Sequence, residues 1–208
     1  MRPLRTGLIL CLAATLASLS LSGCGPRGTA GVGEGTSSSG EALIGGPFQL
    51  IDQNGKPADQ SLLIGKWSAV FFGYTYCPDV CPTTLQALAQ AEAALGDRAK
   101  SLQVVFISVD PERDTPAQIK TYLSTPAFPR GTIGLTGTAA QIAAAAKAYR
   151  VYYQKAGAGE GYSVSHTSII YLMDPDGKFD RPITESQTPA AIADQIRQAI
   201  QAKAKGPA

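Results

Sequence analysis

Apolar positions along this chain fall into two kinds of run, and the two alternate. Trp67-Ser68-Ala69-Val70-Phe71-Phe72-Gly73-Tyr74 and Leu102 to Val109, with Val104-Val105-Phe106-Ile107 at its centre, are nearly continuous. Such runs suit strands buried on both faces of a sheet. Phe48 to Asp52 followed by Gln53-Asn54-Gly55-Lys56 predicts a strand and a tight turn with the Asn-Gly hairpin signal. Helical spacing appears over Thr83 to about Leu95, over Pro116 to Ser124 started by Asp114 and Thr115, over Ala139 to Tyr149, and from Thr188-Pro189 to about Ala202. Thr132 to Leu135 predicts a short strand and Thr167 to Leu172 a third core strand, with Asp174-Pro175-Asp176-Gly177 turning toward Phe179. The alternation predicts an α/β sheet with helices on both faces.

The N-terminal segment follows a different pattern. Arg2 and Arg5 precede an apolar run from Leu8 to Leu21, the layout of an export signal and too short for a comfortable permanent span. The run closes on Leu21-Ser22-Gly23-Cys24, which resembles the bacterial lipobox, in which the cysteine is diacylated and becomes the first residue. The competing reading is an ordinary signal peptide with an incidental cysteine. Gly25 to about Gly40 holds Gly, Ser, Thr and Ala with almost nothing to bury, and predicts a flexible tether reaching about 25 Å. The expected organisation is a lipoprotein signal over 1–23, a lipidated tether over 24–42 and one domain over 43–205. The domain is expected on the periplasmic or other extracytoplasmic side of a cell membrane.

Charge narrows the function classes. The formal net charge is +2, from 18 basic and 16 acidic residues, and Arg2 and Arg5 account for the excess. No basic run or face points to nucleic acid. Of the four cysteines, Cys11 leaves with the signal and Cys24 carries lipid, so Cys77 and Cys81 face an oxidising compartment as a pair. A structural disulfide is the plain reading there. The loop it closes is so short that its stabilisation is about 2 kcal/mol or less, a weak reason for the pair.

The chemistry concentrates where the strand from Trp67 runs into Cys77-Pro78-Asp79-Val80-Cys81-Pro82 and then a helix. Backbone N–H groups at a helix start favour the thiolate, the form that attacks disulfides and binds soft metals. A proline in a second helical turn costs about 3 kcal/mol, so the regular helix is expected to begin at Pro82 with Cys77 to Cys81 as an irregular turn. Both sulfurs then point at one spot, a donor set suited to Cu(I) or Zn(II). Asp79 between the thiols either tunes their charge or simply faces solvent. The single histidine, His166, stands in Val164-Ser165-His166-Thr167-Ser168-Ile169, at the mouth of the third strand, as a third ligand or as a strand cap.

Three separated segments carry a resemblance: Phe72-Gly73-Tyr74-Thr75-Tyr76-Cys77-Pro78-Asp79-Val80-Cys81-Pro82, then Ser108-Val109-Asp110-Pro111-Glu112-Arg113-Asp114-Thr115-Pro116, then His166-Thr167. Together they resemble the Sco (SenC) family of copper chaperones over about residues 43 to 205. The resemblance implies a thioredoxin-like fold with an N-terminal β-hairpin and an inserted helix and strand segment, with His166 where thioredoxins carry a cis-proline facing the cysteines. It implies one copper, Cu(I) or Cu(II), on Cys77, Cys81 and His166. It also implies partnership with the copper-binding subunit of cytochrome c oxidase and with other copper chaperones. Ser165 departs from the acidic residue many relatives place before the histidine, which leaves open what orients the imidazole. Asp110 to Asp114 belongs either to the site rim or to a polar loop in which Asp114 caps a helix. The expected function is delivery of copper to the binuclear site of the oxidase. The alternative is a thiol-disulfide oxidoreductase that keeps the oxidase's copper-ligand cysteines reduced. Peroxide reduction is disfavoured, because the threonine and arginine arrangement around its nucleophilic cysteine has no counterpart here.

Overall fold

The computed structural model describes residues 44–159 and 161–206. The expected signal, Cys24 and the tether lie outside these residues. Strand β1 (Gln49–Asp52) and strand β2 (Pro57–Asp59) form the expected hairpin. Gly55 takes φ +78° at its tip, and the Asp52 carboxylate accepts from the backbone N–H groups of Asn54 and Lys56, each at 2.8 Å.

Strand β3 (Trp67–Gly73) and strand β4 (Leu102–Ser108) run parallel at the centre, with every residue of β3 buried. They are followed in the chain by strand β5 (Ile133–Thr136), a separate pair β6 (Tyr153–Ala156) and β7 (Ser163–His166), and strands β8 (Ile169–Met173) and β9 (Phe179–Thr184). The main sheet has the order β2-β1-β5-β4-β3-β8-β9, with β8 antiparallel to β3. Helices α1 (Val80–Leu95), α2 (Pro116–Leu123), α3 (Ala139–Ala148) and α4 (Pro189–Lys205) cover it. Helix α1 packs on α4, and α2 packs on β5, where Gly134 lets Ile119 and Leu123 approach the strand. The parallel centre, the antiparallel β8–β9 pair and the closing helix make the fold thioredoxin-like, with the hairpin added in front.

Two expectations need correction. Helix α1 begins at Val80, not at Pro82. Pro82 then occupies the third helical position, where the N–H has no intrahelical partner in any residue type, so the proline costs little. Asp114 does not cap α2; Thr115 does, its hydroxyl accepting from the Gln118 N–H at 3.2 Å. Asp114 is fully buried and faces the cysteine loop instead.

Candidate metal centre

Parallel pairing brings the C-terminal ends of β3 and β4 side by side, tied by the Val109 N–H donating to the Gly73 carbonyl at 2.8 Å. The loop after β3 carries Cys77 and leads Cys81 into the first turn of α1. The loop after β4 braces it: the Asp114 carboxylate accepts from the Thr75 N–H at 3.0 Å, the Thr75 hydroxyl at 2.6 Å and the Ser108 hydroxyl at 2.6 Å. Burial nevertheless holds the Asp114 carboxyl above the usual carboxylate range.

Cys77, Cys81 and His166 come together as the sequence predicts: the two Sγ atoms and an imidazole nitrogen all lie within 4.8 Å of one another. Cys81 is fully buried, whereas Cys77 and His166 are half-buried, and both thiols are free. Three donors about 2.3 Å from a shared centre are about 4 Å apart, so the cluster suits one soft ion after a small contraction.

The imidazole is oriented by its own neighbour. Its Nδ1 lies 3.0 Å from the Thr167 carbonyl, which only accepts, so Nδ1 carries the proton and Nε2 presents its lone pair 3.5 Å from the Cys81 Sγ. A backbone carbonyl therefore does what the acidic residue missing at position 165 leaves undone. The ring also stands edge-on to Phe71 and Tyr74, with centroids at 6.2 and 5.9 Å. His166 lies just before β8, as expected, and also ends β7, where it is paired across from Tyr153.

The two thiols differ. A hydrogen bond from the Cys81 thiol holds Cys77 far below the ordinary thiol range, at about 5, and the backbone N–H groups of Cys81 and Asp79 add to this against the opposing effect of burial. The same hydrogen bond, together with burial, pushes the Cys81 thiol up. Asp79 thus acts through its amide, while the residue itself is exposed.

The SCO1/SenC family model matches residues 36–201. The chain belongs to the SCO1/SenC family. Protein SenC of Rhodobacter capsulatus is 43% identical over 164 residues, covering 78% of this chain and 73% of that protein. The mitochondrial protein SCO2 of Saccharomyces cerevisiae is 40% identical over 167 residues, 78% of this chain, and this chain spans 55% of the yeast protein's length. The structure of Bradyrhizobium japonicum ScoI with copper bound superposes with a TM-score of 0.68 at 48% identity, covering 75% of this chain and 99% of that one.

Beyond the Asp114 brace, sequence reasoning missed a further feature of this SCO1/SenC site. Gly73, the last residue of β3, lies against the buried sulfur: a Cβ there would stand 2.9 Å from the Cys81 Sγ and 2.8 Å from the Phe106 ring. The glycine makes the cradle in which that sulfur sits. Its signal was a glycine directly after the bulky run Val70-Phe71-Phe72 at the end of a buried strand.

Proposed function

We propose that this protein is a copper carrier that hands its cargo to the copper site of cytochrome c oxidase during assembly, with Cys77, Cys81 and His166 holding one ion. The observation that carries the reading is the convergence of two free thiols and an imidazole whose Nδ1 faces the Thr167 carbonyl, in a chain 48% identical to a protein whose structure has copper bound. Cys77 is poised as the entry and exit ligand, because it is half-buried and ionises readily, while Cys81 is fully buried behind it. Release then proceeds by ligand exchange, an incoming thiolate or imidazole of the acceptor replacing Cys77 first.

The anchor completes the reading: acylation of Cys24 at the end of Leu21-Ser22-Gly23-Cys24 ties the domain to a cell membrane, on its periplasmic or other extracytoplasmic side. Among the described residues, no helix is long and apolar enough to cross a membrane.

One observation favours a second reading. A low Cys77 beside a raised Cys81 suits thiol-disulfide exchange, in which the Cys77 thiolate attacks a partner disulfide and Cys81 resolves the mixed disulfide, yielding two partner thiols and a Cys77–Cys81 disulfide. Copper titration of the reduced protein beside a disulfide-reduction assay separates them. The carrier reading expects one copper per chain, lost in Cys77→Ser and Cys81→Ser and lost on oxidation, which consumes both donors. Stoichiometric uptake by the oxidised protein contradicts it.

A further inference from the structure

His166 sits on an element that the main sheet does not hold. Among the described residues, strands β6 and β7 pair only with each other, and a lone two-stranded hairpin is marginal in water. The bonds at its base, the Thr167 N–H to the Tyr152 carbonyl at 2.9 Å and the Tyr152 N–H to the Thr167 hydroxyl at 3.1 Å, join its two ends to each other and not to the body. The Lys155–Glu112 ion pair does reach the body, but its partners are 46% and 67% exposed, and such surface pairs contribute little.

Val164 of β7 is buried in the core and its N–H donates to the Tyr74 hydroxyl; beyond that, what fastens the hairpin to the cysteine loop is a cluster in the segment Asp110 to Arg113. The Arg113 Nε donates to one Asp110 oxygen at 2.6 Å, and its guanidinium donates to the Tyr162 carbonyl at 3.0 Å. The Tyr162 hydroxyl donates to the other Asp110 oxygen at 2.5 Å. The guanidinium lies 3.5 Å from the centre of the Tyr162 ring and 4.8 Å from that of Tyr76, the residue before Cys77. Tyr162 is 7% exposed, and the Arg113 and Asp110 side chains 15% and 4%. Arg113 therefore touches the cysteine loop on one side and the strand leading to His166 on the other. The planar fork and the two stacked rings fix a direction that a point charge cannot.

We propose that Arg113 is a positioning residue for His166. Through Asp110 and Tyr162 it clasps the β6–β7 hairpin to the cysteine loop, and so sets the protein's hold on Cu(II) relative to Cu(I). The inference rests on the copper reading above. Cu(I) is satisfied by two sulfurs, whereas Cu(II) needs the imidazole nitrogen in place. Loosening the hairpin thus weakens one oxidation state and spares the other, which general destabilisation would not do.

The test compares wild type with Arg113→Ala, Arg113→Lys and Tyr162→Phe in the reduced chain, reading Cu(I) and Cu(II) affinities, the thiolate-to-Cu(II) absorption, and hydrogen exchange of the Ser163–His166 amides without metal. Arg113→Ala is expected to lower Cu(II) affinity at least about tenfold, as loss of a group orienting a ligand does, while Cu(I) affinity stays within about threefold. The hairpin amides should exchange faster, the absorption should shift, and Arg113→Lys should not rescue. Tyr162→Phe, which keeps the ring and drops the Asp110 bond, should move the same readouts by less. It also decides the matter should Arg113→Ala fail to fold. Equal losses of Cu(I) and Cu(II), or unchanged Cu(II) affinity with unchanged amide protection, overturn the clasp. A wild-type Cu(II) signal that does not depend on His166 overturns the copper reading instead, and amide exchange then still decides whether Arg113 holds the hairpin.

Discussion

Replacing Gly73 by alanine adds one methyl group at the most crowded point of the site. Its Cβ would meet Phe106 at 2.8 Å, the Cys81 Sγ at 2.9 Å and Phe71 at 3.2 Å, where ordinary contacts are about 3.5 Å or more. All three neighbours are fully buried, so none can swing into solvent. Gly73 lies in a regular strand, so the cost is steric rather than conformational. Overpacking of this kind destabilises by about 1–3 kcal/mol. The sulfur must retreat by about half an ångström or more to restore contact distance, well beyond the roughly 0.2 Å tolerance of a metal-ligand bond. Copper affinity should therefore fall at least about tenfold, in step with an imposed loss of ligand geometry. The control is Gly134→Ala, whose Cβ would lie 2.2 Å from Ile119 and 2.6 Å from Leu123, between β5 and α2. It should lose as much stability or more and keep its copper. Denaturant unfolding beside competition against a chromophoric Cu(I) chelator reads both quantities. Wild-type copper affinity in Gly73→Ala, or equal copper loss in the two variants, would refute the argument.

Asp114→Ala leaves the Thr75 N–H, the Thr75 hydroxyl and the Ser108 hydroxyl without their acceptor, and should cost about 3 kcal/mol in urea unfolding with slower copper loading, because the cysteine loop loses its brace. Glu92 on α1 is raised by burial to about 7, so the folded state holds a proton that the unfolded chain releases near its ordinary value of 4.5. Its share of stability is full at the acid end and declines as pH rises from 4.5 through 7. Glu92→Gln should accordingly gain about 1 kcal/mol over wild type at pH 8, after allowance for solvent screening, and little at pH 4, measured as the difference in unfolding midpoint. Cys24→Ser should move the protein from the membrane to the soluble fraction with the copper domain unaltered, whereas palmitate labelling equal to wild type would contradict lipidation there.

The centre of this fold was readable because β3 and β4 are written as unbroken apolar runs, a pattern that only burial on both faces explains. The cysteine pair was equally plain, since strand, thiols and helix follow in sequence. The start of α1 cannot be read from the proline penalty, because Pro82 falls where the helix has no hydrogen bond to lose. Strands β6 and β7 went unseen for a different reason: Tyr153-Gln154-Lys155-Ala156 and Ser163-Val164-Ser165-His166 bury only Val164, and they fold as strands by pairing with each other, not by propensity. The role of Asp114 was hidden by distance, as Thr75 is 39 residues away in the chain, and a local capping role looks the same in sequence.

The central claim, that Cys77, Cys81 and His166 share one copper, is tested most directly by X-ray absorption at the copper edge of the loaded protein, compared with His166→Ala. The account predicts two sulfur neighbours in both proteins and one nitrogen of imidazole type that disappears with the histidine. A single sulfur in the wild type, or imidazole scattering that survives the substitution, would contradict it.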